Sequence, residues 1–397
     1  MSEPRIIGVG ITDFGRFPDL PEEALAQYAI VEALSDAGIA AQDVQAFYCG
    51  NAIGASLPGQ RTLRELHTTG CAVYNIDNAC SSGATALNAA LTALKAGQYD
   101  TVVVFGMDQL SSLGGGPLPL GRNDWNNKRG MIMPALYAMR AMRYVHEHNM
   151  SLDTLADIAV KNRRHGLLNP IATFCKATTR EEVLASRSIA EPLTLLQCCP
   201  AVVDGAAAVV LSTKPIKGAA APVRIRASVV QSGLFETGHE DMTEAEITAR
   251  TARMAYEQAG IGPQDLSLIE CHDAFTISEL LYYEALGLCG RGEAPQLLAS
   301  GATTLGGKIP VNPSGGLIAK GHPPGATGVA QIVEVCEHLQ GRAGKRQVEN
   351  ARFGLTQVTG GGIWGVEHAA CSIHILSLRN SRIQHERHRF TNAHVAT

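Results

Sequence analysis

The sequence predicts an α/β fold made of two similar halves with an inserted loop domain between them. Three observations lead there. A strand, helix and strand pattern in the first fifty residues returns 222 residues later (37 to 259, 43 to 265). A second pattern, a loop opening a helix of small residues, returns after 242 (80 to 322). Of the 397 residues, 45% are hydrophobic and 18% charged, the balance of a packed globular chain, which excludes wholesale disorder and a collagen-like repeat. Aromatic residues are only 5% while glycine numbers 41, so aliphatic and small side chains must build the core.

The elements follow in order. The first half opens on a β-rich segment, Arg5 to Val9. A helical pattern from Glu22 to Asp36 ends at Ala37-Gly38-Ile39, where glycine closes a helix. Asp43-Val44 and a strand-like run to Cys49-Gly50 come next. The second half repeats this order with Val223 to Val229, Glu244 to Gln258, Ala259-Gly260-Ile261, Asp265-Leu266 and a run to Cys271-His272. Cys80-Ser81-Ser82-Gly83-Ala84-Thr85 opens one helix and His322-Pro323-Pro324-Gly325-Ala326-Thr327 another. Small residues on every side predict that both helices are buried between layers. Strands at Thr101 to Phe105 and Arg352 to Val358 follow them. The domain reading is therefore 1–113, completed by 201–222, for the first half and 223–378 for the second. The inserted loop domain is 114–200, Gly/Pro-rich at its start and then helical and basic; the polar, aperiodic stretch 379–397 reads as a mobile tail.

A net charge of −4 speaks against a general nucleic-acid surface but leaves room for a local basic groove that meets a phosphorylated ligand. No run of about 18 uncharged apolar residues is present, so no membrane span is expected. Met1-Ser2-Glu3-Pro4-Arg5 leads into a strand without a signal-peptide pattern. The ten cysteines are scattered with no CxxC pair, so neither a disulfide framework nor a zinc site is expected, and the compartment reads as reducing and cytoplasmic. His146-Glu147-His148 and His385-Glu386-Arg387-His388 lack the HExxH spacing of a metalloprotease.

Three residues are candidates for chemistry. Cys80 lies where a strand-like run, Tyr74 to Asp77, gives way to a helix. The helix dipole there is expected to lower a thiol's pKa and favour the thiolate; the alternative is a buried structural cysteine. His322 holds the equivalent place in the second half, so a pseudo-twofold would bring nucleophile and base into one cleft; the alternative is a histidine capping its own helix. His272 ends a strand and either faces the site or packs structurally.

The run Asn312-Pro313-Ser314-Gly315-Gly316-Leu317-Ile318-Ala319-Lys320-Gly321-His322-Pro323-Pro324-Gly325-Ala326-Thr327-Gly328 resembles the histidine loop of the thiolase superfamily. His272-Asp273-Ala274-Phe275 resembles the loop of its sterol-carrier-protein type, Cys80-Ser81-Ser82-Gly83 the nucleophile loop, and Asp204-Gly205-Ala206-Ala207-Ala208 the strand leading out of the loop domain. The resemblance runs from Arg5 to about Leu376. It implies a five-layered αβαβα fold, a homodimer or tetramer, no permanently bound cofactor and coenzyme A thioesters as substrates. It also implies that Cys80 takes up an acyl group and His322 accepts its proton. His322 and His272 would hold the second thioester's oxygen, and the N–H groups of Cys80 and Gly360, in Gly360-Gly361-Gly362, would form an oxyanion hole.

The chain departs from that pattern in one respect. The second reactive cysteine of typical thiolases falls here on Val358, and the one that sterol-carrier-type members carry after His-Asp falls on Ala274. Cys271 is near in sequence but should face away if His272 faces the site. Thiolysis or condensation is the first reading. The alternatives are retro-aldol cleavage of an acyl-CoA, acyl transfer to another acceptor, and a non-catalytic acyl-CoA-binding subunit with a small OB-fold or zinc-ribbon partner. Lys161, Arg163 and Arg164 are read either as partners of CoA phosphates or as a solvated helix face. Cys198-Cys199 reads as core packing.

Overall fold

A computed structural model describes residues 3–66, 68, 70–116, 128–215, 221–234, 241–364 and 366–378; the expected tail, 379–397, lies outside the described residues. The first half runs β1 (Arg5–Ile11), α1 (Glu22–Ala37), β2 (Ala46–Gly50), α2 (Pro58–Glu65), β3 (Ala72–Ile76), α3 (Ser82–Lys95) and β4 (Thr101–Gln109). The inserted stretch carries α4 (Met133–His148), α5 (Asp153–Gly166), α6 (Arg180–Leu184) and a ribbon of β5 (Ser188–Ala190) with β6 (Leu193–Thr194); β7 (Asp204–Ser212) then returns to the first half. The second half runs β8 (Val223–Ser232), α7 (Glu246–Ala259), β9 (Leu268–Glu270), α8 (Thr276–Ala285), α9 (Ala294–Ala299), α10 (Gly316–Ala319), α11 (Pro324–Leu339), β10 (Phe353–Trp364) and β11 (Glu367–Leu378).

The repeat is visible in the backbone. Gly38 and Gly260 close α1 and α7 in the same left-handed conformation, φ 67° and 68°, and each N–H turns back onto carbonyls of the last turn. The strands form one sheet in the order β3-β2-β4-β7-β1-β8-β11-β10-β9. Its middle joint is slight: β1 and β8 pair only through Arg5 with Arg224 and Ile6 with Val223. The arrangement is thus two sheets sharing one edge. α1 covers the outer face of β1, β4 and β7, and α7 covers β8 and β11. α3 and α11 lie between the sheets, α3 against β2 and β4, α11 against β4, β7 and β10. This is the five-layered αβαβα order expected from the sequence.

Small residues let the central layer close. Every residue of α11 from Pro324 to Cys336 is buried. A Cβ at Gly106 would stand 2.1 Å from the Gly325 carbonyl oxygen, and one at Gly83 would stand 2.4 Å from the same atom. Backbone touches backbone at these points, so no side chain can rotate to make room. Gly106→Ala is therefore expected to destabilise the fold by about 3 kcal/mol, the upper part of the usual overpacking range, measured by chemical denaturation. A loss below about 0.5 kcal/mol would show that α11 can back away.

Candidate active site

The chain between β3 and α3 makes a tight turn at Asp77-Asn78-Ala79-Cys80. Ala79 sits at φ 49°, a region that costs a residue with a Cβ. Asp77 Oδ1 accepts the Ala79 N–H at 2.9 Å. The Ser82 hydroxyl accepts the Asn78 N–H at 2.9 Å and donates to the Ala79 carbonyl at 2.6 Å. The turn sets Cys80 two residues before α3, with part of its surface accessible.

His322 stands two residues before α11, and its Nε2 lies 3.2 Å from Cys80 Sγ. The Thr327 hydroxyl donates to the Pro323 carbonyl at 2.9 Å, so its oxygen accepts from His322 Nδ1–H at 2.8 Å. That bond assigns the hydrogen to Nδ1 and leaves the Nε2 lone pair facing the thiol. His272 lies just beyond β9, its Nε2 3.4 Å from His322 Nε2. Since His322 Nε2 is an acceptor, His272 Nε2 carries a hydrogen. Its Nδ1 then accepts from the Thr359 hydroxyl at 3.1 Å, which accepts from Tyr282 at 3.1 Å. The structure thus brings Cys80, His272 and His322 together, their ligand atoms within 4.8 Å of one another. Three such donors meet the size of a zinc site, which takes a fourth ligand; the hydrogen-bonded thiol and imidazole are equally the geometry of a nucleophile and its base.

The electrostatics differ from the thiolate expected at a helix end. Burial pushes the Cys80 thiol up to about 12, and the Asp108 carboxylate adds to this; the N–H groups of Gly361 and of Cys80 itself oppose it. Burial brings His272 down to about 3. Burial, followed by the charges of His272 and Lys320, holds His322 well below the usual histidine value. Desolvation outweighs the N–H groups that oppose it, which favours a neutral thiol hydrogen-bonded to a neutral imidazole at rest. The glycine-rich turn meets the nucleophile loop at two adjacent residues. Gly360 packs against the nucleophile loop, where an added Cβ would stand 2.0 Å from the Asn78 carbonyl oxygen. The neighbouring N–H that reaches the Cys80 sulfur is that of Gly361.

Two buried networks hold the three residues in place. At the end of β4, Asp108 accepts from Ile53 N–H at 3.0 Å, Asn51 Nδ2 at 2.9 Å and Gly325 N–H at 2.5 Å. It ties the end of β2 to the start of α11; burial raises it to about 7 against those donors. The second network lies beside His272. Lys161 Nζ pairs with Glu279 at 2.6 Å and donates to the Val311 carbonyl at 2.8 Å. Asn162 Nδ2 donates to Asp273 Oδ2 and Glu279 Oε2, both at 2.7 Å. Asn312 Nδ2 donates to Glu279 Oε2 at 2.8 Å, and Leu317 N–H to Asp273 Oδ1 at 2.7 Å. Burial alone would raise Glu279, but the Lys161 ammonium overrides it and holds the carboxyl below its usual value.

Lys161 was expected to meet CoA phosphates or solvent, and in the structure it meets neither: it is 4% exposed and its charge is matched internally. Arg163 is also buried, its guanidinium 4.1 Å above the Phe174 ring. Arg164 alone of the three is exposed. Cys271 faces away from the site, accepting from Asn312 Nδ2 at 3.4 Å. Reading by residue type missed Thr327, Thr359, Tyr282, Asp108, Asn162 and Glu279. Asp108 left a trace, a charge ending the apolar run Thr101 to Met107, and so did Glu279, an acid in an otherwise uncharged helix turn. The hydroxyls left none: Thr359 is a threonine on a strand, which is ordinary, and Thr327 and Tyr282 lie inside buried helices.

Residues 5–215 match the N-terminal domain of thiolase, and residues 233–373 match the thiolase C-terminal domain-like family. A benzoylsuccinyl-CoA thiolase subunit, BbsB, of Thauera aromatica is 41% identical over 377 residues, covering 92% of this chain and 97% of that protein. An acetyl-CoA acetyltransferase of Methanothermobacter thermautotrophicus is 36% identical over 373 residues, 91% and 97% of the two chains. Sterol carrier protein 2 of Bos taurus is 36% identical over 381 residues, 88% of this chain and 68% of that one. Among solved structures, an Ltp2-ChsH2(DUF35) aldolase superposes with a TM-score of 0.82 at 26% identity, covering 96% of this chain and 99% of that chain.

Proposed function

Because the chain belongs to the thiolase family, we propose that this acyltransferase makes or cleaves the carbon–carbon bond of a β-ketoacyl-CoA through an S-acyl-Cys80 intermediate. The observation that carries this reading is the Cys80 Sγ to His322 Nε2 contact of 3.2 Å, with the imidazole's other nitrogen committed to Thr327. As Cys80 attacks a thioester carbonyl, its proton passes to His322 Nε2. The N–H groups of Cys80 and of the Gly360-Gly361 turn would take the charge that develops on the acyl oxygen. His272 Nε2–H, with His322 beside it, would hold the thioester oxygen of the second CoA substrate, where enolate charge develops. Exposed Arg164 is the remaining candidate of its stretch for CoA phosphates.

The relative that acts on benzoylsuccinyl-CoA makes aromatic acyl-CoAs worth assaying beside short ones. Tyr137 and Phe275, stacked at 4.4 Å with Tyr137 near enough to Cys80 to feel its charge, would suit a flat acyl group. That relative is named a subunit and the aldolase carries a double name, Ltp2-ChsH2(DUF35), which supports a partner here too; the kind expected from the sequence is a small OB-fold or zinc-ribbon protein. Self-association as a homodimer or tetramer is supported by β3, an open sheet edge that exposes 38% of Tyr74. No helix among the described residues is long and apolar enough to cross a membrane. All ten cysteines are free, which favours a reducing, cytoplasmic setting.

Intact-protein mass spectrometry after incubation with acetyl-CoA, acetoacetyl-CoA and an aromatic β-ketoacyl-CoA tests the reading. An acyl adduct is expected on the parent and none on Cys80→Ala. Absence of any adduct would favour the retro-aldol reading, which needs no acyl-cysteine and to which the aldolase neighbour lends weight.

A further inference from the structure

Making or breaking a bond at the carbon next to a thioester moves a proton on and off that carbon. His322 is occupied with the Cys80 proton and, through Nδ1, with Thr327. His272 presents an N–H, fit to hold an oxygen but not to accept a proton. Tyr137 is bound to His368 at 2.7 Å, and Cys271 faces Asn312. A further proton carrier is needed, and one thiol is placed for it.

Cys199 lies on the segment that leaves the inserted domain. Its N–H donates to the Ala274 carbonyl at 2.8 Å, and Cys198 forms an antiparallel bridge with Phe275. In that pairing Cys199 stands directly opposite Ala274, so their Cβ atoms share a face about 5 Å apart. Cys198 then points the other way, and its Sγ donates to the Thr194 carbonyl at 3.4 Å. Among the described residues Cys199 Sγ has no such side contact, and part of the residue's surface remains accessible. It is near enough to Cys80 and Asp273 for their charges to act on it; burial first, then the charges of Cys198, Cys80 and Asp273, push its thiol well up.

We infer that Cys199 is the acid and base for the substrate's α-carbon, a role that rests on the acyl-transfer reading above. In condensation the Cys80 proton goes to His322 as the thiol attacks the first acyl-CoA. The departing CoA sulfur takes a proton from Cys199 and leaves as free CoA. The Cys199 thiolate then removes an α-proton from the second acyl-CoA. The carbon's electron pair forms the new bond to the acyl carbon as the bond to Cys80 Sγ breaks, and Cys80 recovers its proton from His322. Cleavage runs through the same steps in reverse, with Cys199 giving its proton to the departing carbon.

The test pairs two readouts on Cys199→Ala, Cys198→Ala, Cys199→Ala/Ala274→Cys and the parent: acyl-Cys80 by intact mass, and exchange of the acetyl-CoA methyl protons in D2O by NMR. In Cys199→Ala, acyl-Cys80 should still accumulate, more slowly because the departing CoA sulfur loses its proton donor, and its formation reports an intact fold, while exchange and β-ketoacyl-CoA turnover fall about 100-fold or more. Cys198→Ala should stay within about twofold of the parent, as a thiol on the opposite face should. Moving the thiol across the bridge to position 274 should restore at least about a tenth of the exchange, because the two Cβ positions are neighbours. Exchange within about twofold of the parent in Cys199→Ala overturns the assignment while the acyl-enzyme reading stands. No acyl-Cys80 in the parent overturns both.

Discussion

Replacing His322 with alanine is expected to slow acyl transfer to Cys80 about 10³- to 10⁴-fold. The thiol it serves is pushed up to about 12 by burial, so without a base about one molecule in 10⁵ carries a thiolate at pH 7. The greater nucleophilicity of that free thiolate returns part of the loss. The pH profile separates this cause from mere disruption. In the parent, His322 is held well below its usual pKa, so the unprotonated base persists into the acid range and single-turnover acylation should be flat from about pH 5 to 9. In the variant the rate should rise about tenfold per pH unit, because only the ionised thiol reacts. A parent profile with an inflection near a normal histidine pKa would mean that His322 is solvated and that burial does not set its state.

The largest stability effect is expected at Lys161, which is buried and paired inside the protein. Lys161→Ala removes the one cation paired with Glu279 and leaves a carboxylate, with Asp273 beside it, uncompensated in the interior. Breaking a buried pair from one side costs about 3–5 kcal/mol, several times an exposed pair. The loss should appear in urea unfolding of the whole chain. Lys161→Ala/Glu279→Gln, which also removes the stranded charge, should regain at least half of it. If the single variant loses less than about 1 kcal/mol, the pair is hydrated. The loop carrying His272 hangs from the same network through Asp273, so surviving Lys161→Ala protein should also turn over more slowly.

The elements were legible to the degree that local chemistry set them. Gly38 and Gly260 end α1 and α7 where a left-handed glycine is needed, and that demand is local. The two loops opening α3 and α11 were legible as a pair because small residues must line a helix packed on both sides. Less was legible where burial decides. Cys80 stands at a helix end as expected, yet desolvation, a property of the assembled layers, sets its protonation. The Lys161 to His165 stretch read either as a partner of CoA phosphates or as a solvated helix face; the partners of Lys161 and His165 are Glu279 and Asn312, more than 100 residues away. Cys199 was read with Cys198 as core packing because nothing in sequence places it opposite Ala274.

The contacts of Gly83 and Gly106 with the Gly325 carbonyl bear on how the site meets heat. The spacing between the two helices that carry Cys80 and His322 at their starts is set by main chain against main chain, so it has no side-chain slack to take up as temperature rises. Loosening that spacing requires moving whole backbone segments. Thermal inactivation is therefore expected to follow the melting transition rather than precede it.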